Sequence, residues 1–103
     1  MEKNKVIWIK NTELQMFDIM DYYFERNKSM IYSLKLYSEI KLKLQNLDFS
    51  VALPQKTSIE NLYYFTHNHI SVMFFIDQKT LIVHMIWDER REPSKWKQLL
   101  PNS

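Results

Sequence analysis

Two periodicities divide the chain. From residue 69 onward apolar residues alternate with a period of two, the signature of β-strands. Ile70, Val72, Phe74 and Ile76 share one face, with His69, Ser71, Met73 and Phe75 opposite. Asp77-Gln78-Lys79 makes a turn, and Thr80 to Trp87 returns as a second strand. In that strand Leu81, Val83, Met85 and Trp87 oppose Ile82, His84 and Ile86. Most of both faces of the first strand is apolar, which predicts a central position in a sheet.

Upstream the spacing changes to three and four. Met16, Phe17, Met20, Tyr23 and Phe24 predict one apolar helix face, opened by the capping-box pair Thr12 and Gln15. Asn27-Lys28-Ser29 breaks the pattern, with Ser29 placed to cap a second helix. That helix carries Leu36, Ile40, Leu44 and Leu47 on one stripe, flanked by Met30, Leu34 and Tyr37. So short a link predicts an antiparallel helical hairpin. Val6 to Ile9 reads as a short strand, Asp48 to Glu60 with Pro54 as a loop, Leu62 to Phe65 as a strand, and Thr66-His67-Asn68 as its turn. The order is β-α-α-β-β-β. It predicts an α+β fold: an N-terminal strand and an antiparallel helical hairpin packed on one face of a mainly antiparallel four-stranded sheet, then a short C-terminal helix or tail.

Composition narrows the chemistry. The 103 residues suit one domain spanning 1–103, and 46% hydrophobic with 15% aromatic residues supply a core. Cysteine is absent, which excludes disulfides, thiolate metal sites and a cysteine nucleophile, and agrees with a reducing cytoplasm. Glycine is absent too, so no glycine-rich phosphate loop exists. Left-handed turn positions must then fall to Asn27, Asn46, Asn68 or Asp77. The four apolar residues before Lys10 are too few for a signal-peptide core, and no apolar run nears the ~20 residues of a membrane helix. A cytoplasmic protein without a membrane partner is expected.

The net charge of +2 matters less than its distribution. Arg26, Lys28, Lys35, Lys41, Lys43 and Lys56 face only Glu39 and Asp48 across the same stretch, whereas the first helix carries Glu13, Asp18, Asp21 and Glu25. A basic patch of this kind suits nucleic acid, and equally a solvated helix face. Arg90 and Arg91 stand where the last strand ends, and a guanidinium there can hold a phosphate or a carboxylate bidentately. Arg90 and Arg91 can equally form ion pairs with Asp88, Glu89 or Glu92. Among the histidines, His84 in mid-strand reads as partly buried and hydrogen-bonded, and His67 as exposed in a turn. His67 and His69 sit at strand spacing without a third ligand, so neither a metal nor another cofactor is expected.

The segments "VIWIK", "NTELQMFDIMDYYFERN", "KSMIYSLKLYSEI" and "NHISVMFFIDQKTLIVHMIWDERREP", with the basic tail "SKWKQLL", occur in an order that resembles RelE/ParE-family toxins of bacterial type II toxin–antitoxin systems. The resemblance runs from Val6 to Leu100. It implies a toxin silenced by a cognate antitoxin, an acidic protein encoded next to it, that forms a hetero-oligomer with the toxin. It implies cleavage of messenger RNA on the ribosome, by cations that hold the phosphate and an acid–base pair that works on the ribose 2′-hydroxyl. Arg90 matches the family arginine of the "D-x-R-x-x-P" pattern, with Arg91 beside it. His69 stands where many relatives have arginine, and nothing after Pro93 is Tyr or His, although some RNA-cutting relatives end in one. The resemblance thus gives Arg90, His69 and Arg91 as catalytic candidates and Lys56, Lys41, Lys43 and Lys95 as RNA-binding ones. Two other functions stay open: a DNA gyrase poison of the ParE type, and a non-catalytic binding module of the same fold.

Overall fold

The computed structural model describes residues 3–48 and 54–91. It is an α+β fold, with strand β1 (Lys5–Trp8), helices α1 (Lys10–Asn27) and α2 (Ile31–Gln45), and strands β2 (Gln55–Lys56), β3 (Leu62–His67), β4 (Ile70–Asp77) and β5 (Thr80–Asp88). The sheet has five strands in the order β1-β5-β4-β3-β2, one more than expected. The addition is β2, two residues inside the expected loop, which pair antiparallel with Tyr63 and Tyr64. β1 runs parallel to β5, and the other pairings are antiparallel. β4 is the middle strand, as its two apolar faces predict. The expected C-terminal helix or tail lies outside the described residues. Among the described residues no helix is long and apolar enough to cross a membrane.

The helical hairpin covers one face of the sheet. Met16, Ile19, Met20 and Tyr23 of α1 and Leu36, Ile40 and Leu44 of α2 pack on Phe65, Ile70, Val72, Phe74, Leu81, Val83 and Ile86. Phe17 and Phe24, expected on the buried face of α1, are exposed, because the buried stripe passes through Thr12, Met16, Ile19 and Tyr23 instead. On the other face of the sheet Leu62 and Met73 gather Tyr64, Phe75, Met85 and Trp87.

The expected capping box does another job. α1 starts three residues earlier, after Ile9, with no side-chain cap. The Thr12 hydroxyl, fully buried, donates to the Val83 carbonyl at 2.9 Å, and Gln15 Oε1 accepts from the Ile86 amide at 3.0 Å. Both side chains fasten the helix to β5. At the other end of the hairpin Asn4 holds the close of α2 from a distance: its Nδ2 donates to the Leu44 carbonyl in the last turn and to the Leu47 carbonyl just beyond it. Ser29 acts near its expected place, accepting from the Ile31 amide at 3.2 Å one residue ahead of the cap position.

Left-handed backbone falls at Lys28, Asn61, Asn68 and Gln78. Asn68 is as expected. Lys28 and Gln78 take the positions given to Asn27 and Asp77, because α1 and β4 each run one residue further. Asn46 has φ −104° and is not left-handed. Thr66 and His67 belong to β3, and the turn is Asn68-His69.

One irregularity decides which side chains of β5 meet the helices. Met73 pairs with Met85 but Phe74 pairs with Val83, which leaves His84 without a partner on β4. This β-bulge inserts one residue into β5 and reverses the facing of everything after it. Leu81, Val83, Ile86 and Asp88 end up buried, with Ile86 in the helix-covered core. Met85 and Trp87 turn to the opposite face, not to that of Val83 as simple alternation predicts. His84 is exposed rather than partly buried, with its ring edge-on to Phe75 at 5.4 Å. His84→Ala should therefore cost about 0.5 kcal/mol or less in chemical denaturation. Deleting His84 should remove the bulge while leaving Met85 to Asp88 on their present faces, so the variant should keep a cooperative unfolding transition in the same denaturation.

Candidate functional site

β5 ends and β4 begins side by side, with Ile70 paired to Asp88. The Glu89 amide donates to the His69 carbonyl at 2.9 Å, which carries the ladder one residue further. His69 and Asp88 thus meet at one end of two inner strands of the sheet. Because of the bulge, Asp88 faces the last turns of α1, where Tyr23 arrives.

Tyr23 joins the other two. Its hydroxyl donates to Asp88 Oδ2 at 2.7 Å and lies 2.7 Å from His69 Nε2. His69 Nε2 is itself 3.9 Å from Asp88 Oδ1. The other Asp88 oxygen accepts from the Arg90 amide at 3.0 Å, and the Arg91 amide donates to the Asp88 carbonyl, so the carboxylate also shapes the turn after β5. The cluster is well sheltered: the Asp88 side chain is 2% exposed and the His69 side chain 9%. A buried carboxylate is tolerated because each oxygen receives a donor.

These bonds also fix where the protons sit. Burial pushes the Tyr23 phenol far above its ordinary pKa, and the hydrogen bond and charge of Asp88 push it the same way. Tyr23 therefore keeps its one proton and gives it to the carboxylate. The bond to His69 must then be donated by the histidine, from Nε2–H to the phenolic oxygen. Burial also pushes His69 below its usual value, with the nearby Arg90 charge adding to this and Asp88 opposing it. A neutral imidazole with its proton on Nε2 has a lone pair on Nδ1. The chain His69–Tyr23–Asp88 thus sets which nitrogen of His69 is basic.

An open cleft of about 640 Å³ lies against this cluster, lined by Tyr23, Arg26, Asn27, Tyr32, Asn68, His69 and Arg90. The Tyr32 ring lies nearly parallel to that of His69, at 7° with 6.4 Å between centroids. Arg90 is exposed, and among the described residues no ion pair engages its guanidinium. The cleft therefore joins a neutral imidazole, two arginines and an aromatic wall.

Two of the three catalytic candidates, His69 and Arg90, meet here. Arg91 does not. Its guanidinium pairs with Asp18 at 2.8 Å, stacks over the Tyr22 ring at 4.6 Å and lines a separate pocket with Gln15, Asp18 and Ile86. The lysines are elsewhere. Lys41 and Lys43 are exposed on α2, roughly 14–16 Å along the helix from Tyr32. Lys43 sits over the Phe65 ring at 4.8 Å. Lys56 pairs with Tyr63, about 13 Å along the strand from His67. Lys95 lies outside the described residues. His67, expected to be exposed, is half-buried against Glu39 Oε1 at 2.9 Å.

Sequence reasoning missed Tyr23, Tyr32 and the role of Asp88. Tyr23 read as one more apolar helix residue. Its phenol was the available clue, since a buried tyrosine hydroxyl requires a partner. A scan against protein-family models and a search of curated proteins find no match to this chain.

Tyr23→Phe keeps the ring and removes the hydroxyl, leaving a buried carboxylate oxygen and a ring N–H without their partner. It should lower the unfolding free energy by about 2–3 kcal/mol in urea titrations at neutral pH. A loss below about 0.5 kcal/mol would show that the hydroxyl does not hold the cluster together.

Proposed function

We propose that this chain is a RelE/ParE-type toxin that acts in the cytoplasm, is silenced by an acidic cognate antitoxin, and cleaves messenger RNA on the ribosome at the cleft of His69 and Arg90. The observation that carries this reading is the His69–Tyr23–Asp88 chain, which leaves Nδ1 of His69 as the basic nitrogen beside an arginine free of ion pairs among the described residues. A ribonuclease that uses the ribose 2′-hydroxyl needs those two groups: a base for the hydroxyl proton and a fixed cation for the phosphate.

In this reading His69 Nδ1 takes the 2′-hydroxyl proton and the 2′-oxygen attacks the neighbouring phosphorus. The bond from phosphorus to the 5′-oxygen breaks, a 2′,3′-cyclic phosphate remains, and water in the open cleft gives the departing 5′-oxygen its proton while His69 later returns its own to solvent. Arg90 holds the non-bridging oxygens and offsets the charge that grows on them. Tyr23 and Asp88 act through His69 by holding its tautomer, as a carboxylate orients the histidine of a catalytic triad. Histidine in place of the arginine of many relatives moves the site from a charge-only role toward base catalysis.

A second reading has its own support. Arg91 is ion-paired, and Lys41, Lys43 and Lys56 do not line the cleft, as in a protein that docks a partner such as DNA gyrase rather than an RNA backbone.

Induced expression separates the two. The ribonuclease reading predicts growth arrest relieved by the neighbouring acidic protein, and new messenger 5′ ends inside translated codons. Those ends should fall about a hundredfold in Arg90→Ala and in His69→Gln, the latter keeping an N–H donor to Tyr23 without a ring base. Arrest with intact messages would point to gyrase or another docked target. Normal growth at high soluble expression would exclude the toxin.

A further inference from the structure

The outer side of the helical hairpin is unusually apolar. Leu14, Phe17 and Phe24 follow each other at helical spacing on α1, as do Ile31, Leu34 and Leu42 on α2. All six are exposed, Ile31 by 79% and Leu14 by 56%. They are not surplus core residues, because the sheet-facing stripes of both helices are already filled by Met16, Ile19, Tyr23, Leu36, Ile40 and Leu44. A contiguous exposed apolar patch of this kind marks an interaction surface.

The charges beside it are mostly sorted by helix, with Lys10 and Arg26 the bases on α1. α1 carries Glu13 and Asp21 at exposed positions, and α2 carries Lys35 and Lys41. Among the described residues none of these four takes part in an ion pair, whereas Asp18 and Glu25 are paired with Arg91 and Lys28. One helix thus offers unpaired acids and its neighbour unpaired bases, both next to the same apolar seam. A surface with both signs in adjacent parallel rows is complementary to itself.

We infer that this face binds a second copy of the chain, with α1 of each protomer lying on α2 of its partner in an antiparallel four-helix layer. A two-fold axis running along the hairpin makes that arrangement. An axis across the hairpin would set α1 on α1 and place acid against acid, so the charges select the first. The 18 residues of α1 extend about 27 Å, and two helices side by side span about 20 Å. That projected area, roughly 500 Å² before side-chain relief, is within reach of the ~800 Å² of accessible surface per partner in a standard interface. The cleft at His69 and Arg90 opens at the α1–α2 link, so both sites of the dimer sit at the same end of the layer rather than in its seam.

Sedimentation of the full chain over a range of concentrations tests this. The wild type should pass from monomer to dimer. Leu34→Asp, which puts a carboxylate into the seam, should raise the dissociation constant at least tenfold with an unchanged circular dichroism spectrum. A chain with Glu13→Lys and Asp21→Lys should be monomeric alone, and so should one with Lys35→Glu and Lys41→Glu. Mixed together the two should dimerise, since each then meets the opposite charge. Wild type that stays monomeric to millimolar concentration would overturn the inference and leave the face to a different protein. Charge variants that dimerise as well as the wild type would overturn the α1-on-α2 arrangement.

Discussion

The Tyr23 hydroxyl, held between Asp88 and His69, is the contact on which the architecture of the working end depends. It ties a residue near the end of α1 to the last residue of β5 and to the turn ahead of β4, over separations of 65 and 46 residues. A carboxylate that is 2% exposed is stable only if its oxygens receive donors. The Tyr23 phenol and the Arg90 amide supply them. The same two bonds that offset burial of Asp88 also orient the turn carrying Arg90 and fix the proton of His69. Structure and chemistry at this end of the molecule are therefore one problem, and a substitution that relieves the first disturbs the second.

The bulge at His84 makes that contact possible. In a regular strand residues 81, 83, 85 and 87 share a face, which would send Asp88 away from the helices. The extra residue brings Ile86 and Asp88 to the buried side with Leu81 and Val83. Bulges next to functional sites commonly re-aim a side chain in this way. Thr12 and Gln15 then fix α1 along β5 through the Val83 carbonyl and the Ile86 amide, on either side of the irregularity, so helix and bulge stay in register. A chain without glycine makes its tight turns with Lys28, Asn61, Asn68 and Gln78, each in a backbone region that side-chain-bearing residues occupy at some cost.

Much of the fold was legible because its signals are local. The alternation of Ile70 to Ile76 marks a central strand, and the three-and-four spacing of Leu36, Ile40 and Leu44 marks a helix. The bulge was not legible, because Met85, Ile86 and Trp87 are all large and apolar and a slip of one residue leaves the hydrophobic pattern unchanged. β2 was hidden because two exposed polar residues at a sheet edge carry no periodicity. Thr12 and Gln15 imitate a helix start, since a hydroxyl and an amide can serve a distant strand as well as a helix amide. Of the site, His69 and Arg90 were visible as polar residues at strand ends. Tyr23 and Asp88 were not, because their partnership is long-range, and sequence spacing cannot distinguish a phenol in a core from one in a relay. Arg91 was misplaced for the related reason that Asp18, its partner, lies 73 residues away.

The central claim is that burial holds His69 neutral and that Tyr23 and Asp88 fix its proton on Nε2. Nitrogen NMR of the histidine side chains, in protein labelled with ¹⁵N, reads this directly through the shifts and ring-proton couplings of the two nitrogens. At neutral pH the account predicts a protonated Nε2 and an unprotonated Nδ1 for His69. A proton on Nδ1, with Nε2 accepting from Tyr23, or a doubly protonated ring would contradict it.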